Sequence, residues 1–262
     1  MQCQKVWSGI KVIVKTGAVD GSLVRWARAV SSRVFTTHPS KVNRVSRLPN
    51  AANHGIDRVL FLYIFLMHRT IFNTPFVNTA LRWISVGFLR LNGWKVIGSL
   101  PPSAIKSVLI AAPHTSNWDL PYTLMVAFTL RLNVYWIGKS SLFKPPFHSV
   151  MMWLGGIPVD RSQNNNLVAA SSEAIRCANG PLQLIVPPEG TRSNTRYWKT
   201  GFYYIAQGSG VPIVMAYLDY DKKIGGLGPV FETTGNIDAD MLAIKSFYAS
   251  VKGKNPDQFD AV

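Results

Sequence analysis

Beyond Pro101-Pro102, short apolar runs alternate with longer amphipathic stretches along the chain. Residues 108–112, 134–137, 182–186 and 212–217 are apolar or nearly so over strand length, the pattern of strands buried on both faces. Between them, 121–131 reads as a helix with Pro121 in its first turn. Residues 167–178 place Leu167, Ala170, Ala174 and Ile175 at helical spacing, with Asn179-Gly180 after them as a stop. A short helix opens near Thr200 and runs through 203–207, and a closing helix covers 238–252. Glycines at 225, 226 and 228 predict a turn or loop. Strand–helix alternation of this kind predicts an α/β fold: a mixed, largely parallel sheet flanked by helices.

The first hundred residues follow another pattern. Residues 59–67 form an apolar block of nine, bounded by Arg58 and His68-Arg69. As a helix it spans well under the ~30 Å hydrocarbon core of a bilayer. Residues 76–91 are amphipathic, with Trp83, Ile84, Phe88 and Leu91 on the apolar side, Arg82 and Arg90 as charges, Pro75 opening the helix and Gly93 closing it. Two such helices suit a segment lying in a membrane interface, and equally suit packing onto a core. The chain therefore divides into a basic N-terminal segment at 1–55, read as disordered or non-catalytic, two helices at 56–100, and an α/β domain at 101–262.

Charge changes the picture of partners. Residues 1–100 carry 14 Lys/Arg against 2 Asp/Glu, whereas residues 201–262 carry 5 against 7, so the net +15 is concentrated toward the N-terminus. A basic, aromatic front half fits an anionic membrane surface or nucleic acid. No RNA-recognition signature, zinc-finger spacing or glycine-lysine phosphate loop is present, and nucleic acid is not expected as a partner. Cys3 and Cys177 supply neither a disulfide framework nor a four-ligand zinc site, and Cys177 reads as a small core residue.

The candidate chemistry lies after two of the strands. His114 and Asp119, with Thr-Ser-Asn-Trp between them, follow the run at 108–112, and Glu189-Gly190-Thr191-Arg192 follows the run at 182–186. If these strands are parallel, both motifs emerge at one edge of the sheet, where open α/β sheets bind ligands. On an ideal helix, positions five apart differ by about 140°, so the pair meets only if His114 lies in a loop and Ser116 or Asn117 caps the helix carrying Asp119. The carboxylate then fixes the tautomer of an imidazole acting as general base. The competing account is a surface histidine beside an aspartate that serves the helix dipole. Glycine, hydroxyl and guanidinium at 190–192 suit phosphate recognition, with Arg161 as a second contact. Alternatively, Arg161 pairs with Asp160, and Glu189 with Arg192. Lys139 and Lys144 are weaker phosphate candidates. A serine-hydrolase elbow is absent, since the run Gly138-Lys139-Ser140-Ser141-Leu142 lacks the final glycine.

Four motifs in this order are more specific than any one of them: His114-x4-Asp119, Gly156-Ile157-Pro158-Val159-Asp160-Arg161, Pro188-Glu189-Gly190-Thr191-Arg192-Ser193 and Val211-Pro212-Ile213-Val214. Together they resemble the glycerolipid acyltransferase family, in particular the bacterial 1-acyl-sn-glycerol-3-phosphate acyltransferases. The resemblance covers about residues 75–250. It implies His114 as the base toward an acceptor hydroxyl, Asp119 as its partner, and Glu189, Gly190, Thr191 and Arg192 with Arg161 as the acceptor-phosphate site. It further implies acyl-CoA or acyl-carrier protein as co-substrate, no metal or other cofactor, a membrane lipid as acceptor, and N-terminal helices that hold the protein on the cytoplasmic face of a membrane. Pro187 and Met215 depart from the family pattern, which more often has an aromatic and a proline there.

Overall fold

Val108, Leu109 and Ile110 point alternately to opposite faces of their strand, yet each is at most 1 % exposed, so both faces of the sheet are covered. The computed structural model describes residues 69–159, 164–190 and 197–259. The basic segment 1–55, the apolar block 59–67, and the candidate residues Arg161, Thr191 and Arg192 lie outside the described residues.

The described elements, in chain order, are α1 (Val77–Leu91), β1 (Lys95–Ile97), β2 (Lys106–Ala111), α2 (Asp119–Thr129), β3 (Val134–Lys139), α3 (His148–Trp153), β4 (Gly156–Val159), α4 (Asn164–Cys177), β5 (Leu182–Val186), α5 (Gly201–Ser209), β6 (Ile213–Asp219), β7 (Ile224–Phe231) and α6 (Ile237–Tyr248). They build one seven-stranded sheet in the order β1-β7-β6-β2-β5-β3-β4. From β6 to β4 neighbouring strands are parallel; β7 runs antiparallel to β6, and β1 lies parallel to β7 at the edge. The α/β expectation of a mixed, largely parallel sheet flanked by helices therefore holds. Ile110 of β2 stands opposite Val186 of β5 and Met215 of β6, which brings the carboxyl ends of β2 and β5 level, while β6 runs on to Asp219.

Three strands differ from the sequence expectation. The 225–228 glycines do not make a loop but lie within β7. They are there because neighbours come too close for a side chain: a Cβ on Gly226 would sit 2.0 Å from Ile97 O, and one on Gly228 would sit 2.4 Å from the Phe247 ring. At β4, Pro158 is tolerated because this edge strand pairs with β3 alone. At β1, three residues with alternating exposure are too few for periodicity to register. This strand falls within 56–100, so that span contains part of the sheet as well as α1.

Helix α1 ends as its sequence indicates, with Gly93 in the left-handed region and Trp94 N–H donating to Leu89 O. Its inward residues Ser85 and Leu89 are buried, and Leu89 joins Trp94, Val126 and Leu218 in a cluster that Tyr122 and Tyr220 complete. Its other side leaves Trp83, Ile84 and Leu91 well exposed, with Phe88 at the margin. Core packing and an uncovered apolar face thus occur on the same helix. Among the described residues no helix is long and apolar enough to cross a membrane.

Candidate active site

The chain leaves β2 at Ala111 and does not re-enter regular structure until Asp119, the first residue of α2, so His114 stands in the connecting loop, off the helix. This is the condition the spacing imposes. Asp119 reaches back to the loop: its Oδ2 accepts from Thr115 N–H at 2.9 Å and Ser116 N–H at 2.8 Å, and lies 3.0 Å from His114 Nδ1. Since that oxygen already serves two backbone donors it acts as an acceptor, which puts the imidazole proton on Nδ1 and leaves the lone pair on Nε2. The expected capping by Ser116 or Asn117 does not occur. Trp118 is the N-cap, without a side-chain cap bond, and Ser116 Oγ instead accepts from Trp118 N–H. The aspartate organises the turn by itself.

The second oxygen of Asp119 is also engaged, by the phenol of Tyr220 at 2.9 Å. From the C-terminal side, Asn255 clasps the loop, its backbone N–H donating to Thr115 Oγ1 and its side-chain amide to Thr115 O. The Asp119 side chain is 6 % exposed and the His114 side chain 25 %, so a buried orienting group supports a ring that is open to a substrate.

Glu189 arrives from the end of β5, as parallel pairing requires. Its side chain turns inward: Oε1 accepts the backbone N–H of His114 at 3.0 Å, and Oε2 is buried with no partner among the described residues. Burial raises its pKa above the usual carboxylate value, against the opposing effects of the Glu189 and His114 backbone N–H groups. An acid whose folded pKa is raised contributes stability below its unfolded pKa and loses it as pH rises through the folded value. Glu189→Gln, which cannot ionise but keeps an acceptor oxygen, should therefore gain melting temperature relative to the parent between pH 4 and pH 8. Thermal unfolding at the two pH values checks this, and an equal difference at both would show that the charge is not disfavoured there.

Gly190 adopts φ +64°, and a Cβ there would lie 2.9 Å from Lys199 Nζ. Lys199, held by its N–H to Pro188 O, thus brings an ammonium group to the glycine turn. Neither Tyr220 nor Lys199 stands out in the sequence. Tyr220 is 101 residues from Asp119 in the chain, and the only signal for Lys199 is its place just before the helix opened at Thr200.

From His114 and Asp119 a cavity of about 500 Å³ extends between α2 and the sheet. Leu120, Leu124 and Ala127 line it on the helix side, and Leu109, Val134, Trp136, Ile185 and Leu218 on the strand side. Gly190 and Lys139 also border it. A base whose lone pair is on Nε2 therefore lines an apolar cavity fit for a hydrocarbon chain, next to a glycine turn and two lysines. Among the described residues no group of three His, Cys, Asp or Glu is arranged to hold a metal ion.

Residues 94–218 match the family model described as Acyltransferase. Comparison with curated proteins gave no match. Among solved structures, the chain is similar to the crystal structure of the 1-acyl-sn-glycerophosphate (LPA) acyltransferase PlsC from Thermotoga maritima, at 16 % identity and a TM-score of 0.46, over 76 % of this chain and 100 % of that one.

Proposed function

We propose that this chain, whose residues 94–218 match the acyltransferase family model, moves a fatty acyl group from acyl-CoA or acyl-carrier protein to the free hydroxyl of 1-acyl-sn-glycerol-3-phosphate, giving phosphatidic acid. The observation that carries this is that His114 lines the apolar cavity while its Nδ1 is bound to a buried aspartate, which leaves Nε2 as the basic nitrogen. Nε2 takes the hydroxyl proton as the acceptor oxygen attacks the thioester carbonyl, and Asp119 stabilises the imidazolium. The tetrahedral intermediate collapses with loss of the thiolate, which recovers the proton from His114. No acyl-enzyme forms, and the step uses neither metal nor organic cofactor.

The acceptor phosphate is assigned to Gly190, Thr191 and Arg192, with Arg161. The Glu189 carboxyl, facing the His114 amide, shapes this loop in the proposed site and does not touch the phosphate, which a carboxylate would repel. The acyl chain occupies the cavity beneath α2. Trp83, Ile84, Phe88 and Leu91 of α1 rest in the interface of an anionic membrane on its cytoplasmic face, with Arg90 among the lipid headgroups. This places the enzyme where its acceptor resides.

An acceptor panel of lysophosphatidate, glycerol-3-phosphate and lysophosphatidylcholine, each offered with labelled oleoyl-CoA and oleoyl-carrier protein, tests the assignment. Label in phosphatidate is the expected product. Label only in the product of another acceptor would move the specificity to that acceptor, and no transfer with any pair would overturn the proposed activity.

A further inference from the structure

Asp119 is held from three directions, and one of the holding groups comes from a part of the chain beyond the acyltransferase-family match. Tyr220 follows β6, two residues past the matched segment. Its backbone is fixed by N–H donation to Lys252 O. The turn around it is fixed by Asp219, whose Oδ1 accepts from Asp221 and Lys222 N–H and whose Oδ2 lies 3.0 Å from Lys222 Nζ. Its ring sits edge-on to Trp94 at 5.1 Å and to Tyr122 at 5.8 Å between centroids. The ring held in this way brings the phenol to Asp119, and its O–H donates to Oδ1 at 2.9 Å.

We propose that Tyr220 is a positioning residue of the site, the third member of a Tyr220–Asp119–His114 chain, in which the phenol sets the orientation and charge distribution of the carboxylate that His114 leans on. The role rests on the acyl-transfer chemistry proposed for His114. Asp119 has four donors on two oxygens: the His114 ring and two backbone N–H groups on Oδ2, and the phenol alone on Oδ1. Without the phenol, Oδ1 is a buried acceptor that has lost its partner, and more of the carboxylate's charge is directed at the imidazole. Burial and the neighbouring Asp119 both raise the Tyr220 pKa, so the phenol keeps its proton and remains a donor. The other titratable or charged groups around the chain are Glu189 from the end of β5, Tyr122 on α2, Lys139 bordering the cavity, and Lys254, whose ammonium stands 4.9 Å from the Trp118 ring. Among the described residues, none of these donates to Asp119 Oδ1.

The test compares the full-length protein with Tyr220→Phe, with Tyr122→Phe as the packing control, and with 3-fluorotyrosine at position 220. The His114 imidazole titration is followed by NMR, and kcat and KM for acyl transfer to lysophosphatidate are measured across pH. Tyr220→Phe should lower kcat about 10–100-fold, with KM little changed, because a carboxylate released on its Oδ1 side no longer holds the imidazole in its productive orientation. It should also move the His114 titration, and the acidic limb of kcat/KM with it, to higher pH, because a carboxylate relieved of its phenol stabilises the imidazolium more strongly. The fluorinated phenol, a stronger donor of the same shape, should move the titration the opposite way, and it answers the question even if the Phe variant is too unstable to study. Tyr122→Phe should leave the titration in place. An unchanged His114 titration in both the Phe and the fluorinated forms overturns the positioning role. If the parent protein transfers no acyl group, the proposed function fails, while the NMR titration still decides whether Tyr220 acts on His114 through Asp119.

Discussion

His114→Ala should lower acyl transfer to lysophosphatidate by about 10²–10⁴-fold, the range that a positioned general base supplies, and should do so with little loss of stability. The side chain is a quarter exposed and, among the described residues, its ring bonds to Asp119 Oδ2, an oxygen that keeps two backbone donors when the ring is gone. Losing that single hydrogen bond costs about 1 kcal/mol, and no buried donor is orphaned by it. Parallel measurement of labelled oleate incorporation and thermal unfolding separates the two effects. Equal incorporation by parent and variant would refute the base mechanism, and a collapse of the melting transition would show that the ring is part of the framework.

Asp119→Ala should damage both quantities. Removing the carboxylate orphans the N–H groups of Thr115 and Ser116 and the phenol of Tyr220 together, in a site where Thr115 is 2 % exposed. At about 1–3 kcal/mol for each buried group left unpaired, the loss of stability should reach about 3 kcal/mol or more. Transfer should fall by about 10⁴-fold, as it does when the carboxylate that sets the tautomer of a catalytic histidine is removed. Asp119→Asn keeps one acceptor oxygen for the backbone donors and should retain more stability than the alanine variant while remaining nearly as inactive. Denaturant unfolding alongside the transfer assay gives this contrast. If Asp119→Ala melts like the parent, the aspartate does not organise the turn as the geometry indicates.

What the sequence shows of this site follows from which forces act locally. Strands β2 and β5 are readable because each is an almost unbroken apolar run, and parallel pairing then obliges His114 and Glu189 to emerge at one edge. Strand β7 is hidden, because the glycines that permit close approach to Ile97 and Phe247 look like turn residues until those neighbours are known. The spacing of His114 and Asp119 shows that the two can meet only off a helix. It does not show that the aspartate holds the loop by its own bonds, where a serine or asparagine cap was expected. Glu189 next to glycine, threonine and arginine suggests a phosphate site by composition, whereas burial and the His114 amide determine where its carboxyl points. Tyr220 and Asn255 reach the loop across 101 and 140 residues of chain, distances at which no periodicity carries information.

The clasp formed by Asn255 and the turn at Tyr220 also bears on how this module can be moved between proteins. The family match stops at residue 218, yet the phenol on Asp119 and the two bonds to Thr115 are supplied from 220 and 255, and a Cβ on Gly253 would press to within 2.7 Å of Thr115 Oγ1. A transplant cut at the end of the matched segment would carry the histidine and the aspartate without the groups that hold them in register. The portable unit extends through β7 and α6 to the tail. Chimeras should exchange the histidine loop, the β6–β7 turn and the segment 253–255 together, as one cassette.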